Sequence, residues 1–149
     1  PQGWMRGWDG DHLVTYRDWP HASQVLPQAD ALVMSIEDIR GNEDIVADYA
    51  SRIPVLVVTE GAKGERVYWN GDVRHFSPPN ENEVDAVGAG DIFAASFFIK
   101  LKQYQDPWEA ARFATLVAAN SVTRPGITGV PNRNEIRRFT AEVLENPAR

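Results

Sequence analysis

The sequence predicts an α/β fold with an attached β-hairpin. Three stretches carry this reading. Pro54-Val-Leu-Val-Val-Thr59 is a β-branched run with the length and apolar continuity of a central strand. Glu65 to Trp69 and Asp72 to Phe76 flank Asn70-Gly71, a pair suited to the two positive-φ positions of a tight hairpin turn. Asp106-Pro107-Trp108-Glu109 supplies a helix N-cap, a proline at the first helical position and an acid at the third.

The remaining elements follow in chain order. Residues 1–20 hold three of the five tryptophans, with Gly10-Asp11 between Trp8 and the run from His12 to Tyr16. A short hairpin or extended segment is expected there, with the tryptophans as packing residues. Ala31-Leu-Val-Met34 reads as a buried strand, and Ser35-Ile-Glu-Asp38 has capping-box spacing with Asp in place of Glu or Gln. Asn42 caps a helix whose apolar face is Ile45, Val46, Tyr49 and Ala50. Glu60 to Gly64 breaks the strand that ends at Thr59. Ile92 to Ile99 reads as a buried helix in which Ala94, Ala95 and Ser96 allow close packing. The helix opened by Asp106 runs to about Val122, where Pro125-Gly126 ends it. Asn132 and Glu135 repeat the capping spacing for a last helix with Ile136, Phe139, Val143 and Leu144 on its apolar side.

Composition narrows the function classes. The 149 residues suit a single domain, and 43% hydrophobic content supports a core. With no cysteine there are no disulfides or thiolate metal sites, and His12, His21 and His75 lack ligand spacing, so a zinc site is not expected. Acids outnumber bases 21 to 15 for a net charge of −6, which disfavours nucleic acid as a partner. No apolar run is long enough to cross a bilayer, and the first residues have no signal-peptide pattern, so no membrane partner and a cytoplasmic location are expected.

The chemistry concentrates in Gly88-Ala89-Gly90-Asp91, where a loop feeds a helix. Glycines let the backbone turn and approach a ligand without Cβ clashes. Exposed amides of a first helical turn, at the positive end of the helix dipole, attract phosphate oxygens. An acid in that turn can take a proton from an attacking hydroxyl. The same tetrapeptide also serves as a tight loop whose Asp caps the helix. Lys63 lies in a loop without Walker spacing and reads as a side chain that is solvated or only near the phosphates of a bound nucleotide.

Four ordered segments resemble the ribokinase-like (PfkB) family of sugar and nucleoside kinases. Asp85-Ala-Val-Gly-Ala-Gly-Asp91, followed by Ile92-Phe93-Ala94-Ala95, is similar to the family's Asp-Thr-Thr-Gly-Ala-Gly-Asp signature and the helix after it. Thr59-Glu-Gly61-Ala-Lys-Gly64 resembles its Thr-x-Gly-x-x-Gly nucleotide loop. Val122-Thr-Arg-Pro-Gly126 with Val130-Pro131 resembles its closing segment, and Asp30 to Asp38 resembles the strand and turn carrying Asn-x-x-Glu. The likeness spans nearly everything after residue 28.

The resemblance implies the C-terminal portion of a ribokinase-like three-layer sandwich, a single partial domain over residues 1–149. It implies an ATP-dependent phosphotransferase acting on a hydroxyl of a sugar, polyol or nucleoside. Asp91 would be the catalytic base, the amides of Ala89, Gly90 and Asp91 an anion hole, and Gly88 the turn. Thr59, Gly61 and Gly64 would line the ATP phosphates, with Gly126 in the closing nucleotide segment. Thr115 falls where the family often contacts adenine; a plain helix-surface threonine is the alternative. Asp85 would help hold a monovalent cation such as K⁺, or cap the loop ahead of the helix. Asp38, with Glu37 as fallback, would help organise Mg²⁺. Two departures stand out: Ala86 and Val87 replace both threonines, and Ser35 and Asp38 replace Asn and Glu. Family members have about 300 residues, roughly two domain-lengths, and draw their sugar-binding residues and β lid mostly from an N-terminal half. The chain therefore reads as a fragment, inactive alone and prone to self-association, of a protein expected to be a homodimer when complete. A non-catalytic, nucleotide-binding regulatory relative of the same fold is the alternative.

Overall fold

The computed structural model describes residues 1–8, 10 and 13–145; Asp11 and His12 of the expected N-terminal hairpin lie outside the described residues. The chain packs as two compact units, one of Pro1–Gly61 with Glu65–Arg74, the other of Ala62–Gly64 with the chain from His75 onward.

In the first unit, β1 (Arg6–Trp8) and β2 (Val14–Tyr16) pair antiparallel, with Arg6 opposite Tyr16 and Trp8 opposite Val14. The tryptophans divide in role. Trp19 is buried and stacks on Trp4 with ring centroids 4.8 Å apart, whereas Trp8 is 74% exposed and does not serve as a packing residue. A single turn, α1 (Ala22–Val25), leads through a 3₁₀ turn into β3 (Ala31–Ser35). The capping box read from Ser35 and Asp38 opens the 3₁₀ turn Ile36–Ile39: Ser35 Oγ accepts from the Glu37 N–H, and Asp38 Oδ2 accepts from the Ser35 N–H at 3.4 Å. Asn42 Oδ1 accepts from the Asp44 N–H at 3.0 Å and starts α2 (Glu43–Ala50).

The crossover through α2 makes β4 (Val55–Thr59) parallel to β3, with Leu32 opposite Leu56 and Ser35 opposite Thr59. β5 (Glu65–Trp69) returns antiparallel to β4. Asn70 and Gly71, at φ 53° and 77°, form the turn into β6 (Asp72–Phe76). The sheet is mixed, in the order β3-β4-β5-β6.

The interior position of β4 accounts for its unbroken apolar run, because successive side chains point to opposite faces and both faces are covered. Val55 to Val58 are all buried. Leu56 and Val58 face a core with Met34, Ile39, Val46 and Tyr49. Each such aliphatic burial contributes about 1.5–3 kcal/mol before chain entropy is set against it. Arg66 on β5 ties the surroundings together. Its Nε donates to Glu60 at 2.8 Å, and Nη1 and Nη2 donate to both oxygens of Glu43 at 3.0 and 2.9 Å. These bonds hold the Glu43 carboxyl below the usual range.

In the second unit, Gly64 takes φ 99°, and a Cβ there would collide with the Phe76 carbonyl oxygen. Helix α3 (Ala89–Tyr104) turns back through Gln105 (φ 56°) into α4 (Pro107–Ser121). Asp106 Oδ1 accepts from the Trp108 and Glu109 N–H groups at 2.8 and 3.2 Å, as the sequence indicated. On α3, Phe93, Ser96, Phe97 and Lys100 are buried, the i, i+3, i+4, i+7 stripe of one helix face. Phe98 and Ile99 on the opposite side are exposed, so α3 is buried along one face only and not throughout.

Helix α5 (Arg133–Glu145) packs Phe139 and Val143 against Phe113 and Val117 of α4. Asn132 and Glu135 form its expected reciprocal cap, and Leu144 points to solvent. Lys100 is buried beneath α5. Its Nζ donates to Thr140 Oγ1 at 3.1 Å and stands 4.5 Å from the Phe113 ring centroid and 4.9 Å from that of Tyr104. An ammonium out of water is tolerated only with such partners.

Two substitutions probe this packing. Gly64→Ala is expected to destabilise the chain by roughly 3 kcal/mol, from left-handed strain together with the carbonyl clash. Thr140→Val, which removes the oxygen acceptor that the buried Lys100 ammonium has among the described residues while keeping the side-chain shape, is expected to cost about 1–3 kcal/mol. Denaturant midpoints check both; an unchanged midpoint for either contradicts the packing described.

Candidate functional site

The loop before α3 is shaped by a few backbone bonds. The Val84 and Asp85 N–H groups both donate to the Val122 carbonyl, at 2.8 and 3.0 Å. Asp85 Oδ1 accepts from the Val87 N–H at 2.9 Å, and Oδ2 from the Gly126 N–H at 2.8 Å. Gly88 then takes a left-handed backbone, φ 84° and ψ −4°, as the residue ahead of the helix. The first helical bond runs from the Ile92 N–H to the Gly88 carbonyl at 3.0 Å.

This leaves the donors of the first turn in distinct states. The Ala89 N–H donates to the Ala86 carbonyl at 3.2 Å, closing a turn. The Gly90 and Asp91 N–H groups have no partner among the described residues. Apart from the adjoining backbone, no atom of the described residues lies within 4 Å of where a Cβ would stand on Gly88 or Gly90, which leaves space at the helix end. Asp91, in the same turn, is exposed and makes no hydrogen bond or ion pair among the described residues. Two free amides, the dipole of a 16-residue helix and an uncommitted carboxylate thus share one turn.

The other candidates fall in different surroundings. Gly64 is buried with its backbone against Phe76, a role in packing. Gly126, at φ 51°, gives its N–H to Asp85. Thr115 is buried on α4 and not at a helix surface, and its hydroxyl donates to the Ala111 carbonyl at 2.8 Å. In the first unit, Thr59 ends β4 with its hydroxyl donating to the Met34 carbonyl at 3.3 Å, and Gly61 opens a 3₁₀ turn at φ 61° with free space where a Cβ would stand. Asp38 is buried and paired with Arg6 Nη2 at 2.9 Å, besides its bond to the Ser35 N–H. Glu37 beside it is exposed, on an open cleft that Arg6, Tyr16 and Arg40 also line. Lys63 is exposed, as read from the sequence. Among the described residues no three His, Asp or Glu side chains gather as a metal cluster, and no helix is long and apolar enough to cross a membrane.

Arg124 received no role from the sequence. It anchors the segment after α4, donating to Glu135 at 2.7 Å, Asn120 at 3.0 Å and the Gly129 carbonyl at 3.3 Å. These partners lie 11, 4 and 5 residues away, Glu135 on α5, Asn120 on α4 and Gly129 between the two helices, so no single periodicity announced them.

Comparison with known proteins places this geometry. A family model described as pfkB family carbohydrate kinase matches residues 13–134. The chain is 30% identical over 152 residues to an inositol 3-kinase of Zea mays, covering 99% of the chain and 38% of that protein. It is 33% identical over 146 residues to a fructokinase of Escherichia coli, covering 87% and 46%. The crystal structure of a ribokinase from Thermotoga maritima superposes with a TM-score of 0.69 at 27% identity, over 83% of this chain and 45% of that one. The chain therefore spans less than half the length of the relatives it matches, and shares the ribokinase fold over most of its own.

The Gly126 and Val87 N–H groups hold the Asp85 carboxyl below its usual value of 3.8. A lowered folded value means that the tether is complete at neutral pH, weakens as pH falls below 3.8, and is lost once pH passes the folded value. The amide resonances of Val87 and Gly126 are expected to titrate together with a midpoint below 3.8; a midpoint at or above it contradicts the two bonds.

Proposed function

Because the chain belongs to the pfkB family of carbohydrate kinases, we propose that it carries the catalytic half of an ATP-dependent kinase. The reaction moves the γ-phosphate of ATP onto a hydroxyl of a sugar, polyol or nucleoside. The observation that carries this reading is the first turn of α3, where the unpartnered Gly90 and Asp91 amides stand beside the uncommitted Asp91 carboxylate.

Phosphoryl transfer needs positioning and charge stabilisation more than covalent help from the protein. The acceptor hydroxyl gives its proton to the Asp91 carboxylate as its oxygen bonds to the γ-phosphorus. The bond from that phosphorus to the bridging oxygen breaks, and ADP leaves with the electron pair. The Gly90 and Asp91 amides stabilise negative charge on the transferring group, and Gly88 sets the turn that aims them. The Ala89 amide, in its 3.2 Å bond to Ala86, shapes that turn. Thr59 and Gly61 are proposed phosphate contacts of the nucleotide loop, Gly64 the glycine that ends it, and Thr115 and Gly126 part of the nucleotide segment, all by likeness to the family. Soluble, cytoplasmic action on a small acceptor completes the reading.

ATP is used with Mg²⁺, which neutralises phosphate charge when bound. Asp38 fits poorly as its ligand, since Arg6 and the Ser35 N–H already hold its carboxylate. The exposed Glu37 is the residue of this turn that would hold the ion, through water.

The test uses the complete polypeptide that contains this chain, screened for ATP consumption with sugars, polyols and nucleosides. Turnover on one acceptor is expected, and Asp91→Asn is expected to lower kcat by about 10²–10⁴-fold with ATP affinity unchanged. Equal loss of binding and turnover removes Asp91 from the role of base. ATP binding without turnover on any acceptor favours the regulatory relative.

A further inference from the structure

The loop before α3 and the segment after α4 are joined through Asp85, and several oxygens of these segments accept internal donors. The Val122 carbonyl accepts from both Val84 and Asp85. The Asn120 carbonyl accepts from the Thr123 N–H at 3.3 Å and its hydroxyl at 2.8 Å. The Pro125 carbonyl accepts from the Thr128 N–H at 3.2 Å and its hydroxyl at 2.6 Å, and the Ile127 carbonyl from the Val130 N–H at 3.2 Å. Asp85 accepts one N–H on each carboxylate oxygen. The two residues that follow it, Ala86 and Val87, offer no hydroxyl.

A monovalent cation is held by several oxygens whose lone pairs converge on it in place of water. An N–H aimed at a carboxylate oxygen takes up one of those directions and brings its own partial positive charge. The Gly126 N–H does this to Oδ2 from 41 residues away, where no local turn requires it. We propose that Asp85 is a positioning residue acting through the Val87 and Gly126 amides, with the Gly126 N–H in place of a monovalent cation. The carboxylate fixes residues 85–88 against the end of α4 and thereby sets where α3 begins and how its free amides face. Its catalytic consequence rests on the kinase reading; its structural content does not.

Amide exchange and chemical shifts of the labelled chain in KCl, NaCl and choline chloride at equal ionic strength test this. The expected result is a Gly126 amide equally protected in all three salts. In Asp85→Asn the new NH₂ faces an N–H, and Gly126 exchange is expected to rise at least about tenfold. The Gly90 and Asp91 resonances should move in that variant while Phe139 on α5 stays in place. In the complete polypeptide the same variant should lower kcat with the acceptor KM unchanged. Protection or shifts at Gly126 or Val87 that appear in KCl and vanish in choline chloride overturn the proposal, and that comparison needs no variant. Unchanged Gly126 exchange in Asp85→Asn overturns it as well. Neither exchange readout depends on turnover, so loss of the kinase reading and loss of this one are separable.

Discussion

The left-handed backbone at Gly88 is the constraint on which the second unit depends. At φ 84° and ψ −4° the chain reverses from a loop into a 16-residue helix within one residue, a conformation that a side chain would strain. The reversal leaves the Gly90 and Asp91 amides without partners, places Asp91 beside them and points the helix dipole the same way. An unpaired amide is unfavourable unless water or a ligand meets it. The start of α3 has no side-chain cap, so these amides are left for water or a ligand to meet.

What holds that helix in place lies on its far side and at its flanks. The α3 stripe from Phe93 to Lys100 packs inward, and the Lys100 ammonium sits between two aromatic rings with Thr140 as its oxygen partner. Arg124 plays the matching part after α4, joining Asn120, Gly129 and Glu135 into one corner. Both residues are cations in sheltered positions: Lys100 donates to Thr140 and faces two rings, and the Nη atoms of Arg124 donate to Glu135, Asn120 and the Gly129 carbonyl. Removing one partner therefore exposes the unmet desolvation of the other. Asp85 is tied to the same segment through the Gly126 N–H.

The first unit obeys a different requirement. Its mixed sheet needs both faces of β4 covered, which Val55 to Val58 supply as an unbroken apolar run. The capped 3₁₀ turn after β3 then brings Asp38 under Arg6, making structural use of a carboxylate that the family pattern assigns to the metal. A shorter arm than glutamate keeps Asp38 in its own cap, within reach of the Ser35 N–H. The free acid of this turn is Glu37, one residue earlier.

Local chemistry made much of this legible in the sequence. The hairpin at Asn70-Gly71, the caps at Asn42, Asp106 and Asn132, the β4 run and the Gly88 turn all depend on residues within a few positions of one another, and each stands as read. The ordered motifs likewise carried the family. Periodicity misled where burial depends on what else packs nearby: Phe98 and Ile99 look like core in an apolar run, yet lie on the outer face of α3, and Trp8 is exposed. Thr115 reads equally as surface or contact residue, and only its burial and its bond to Ala111 decide its setting. The partners of Asp85, Arg6, Lys100 and Arg124 include residues 41, 32, 40 and 11 positions away. Sequence alone determined the turns, caps and helix start, because backbone dihedrals and short-range hydrogen bonds are local. Tertiary structure alone decided which carboxylates are free and which are taken, because a charge finds its partner through space and not along the chain.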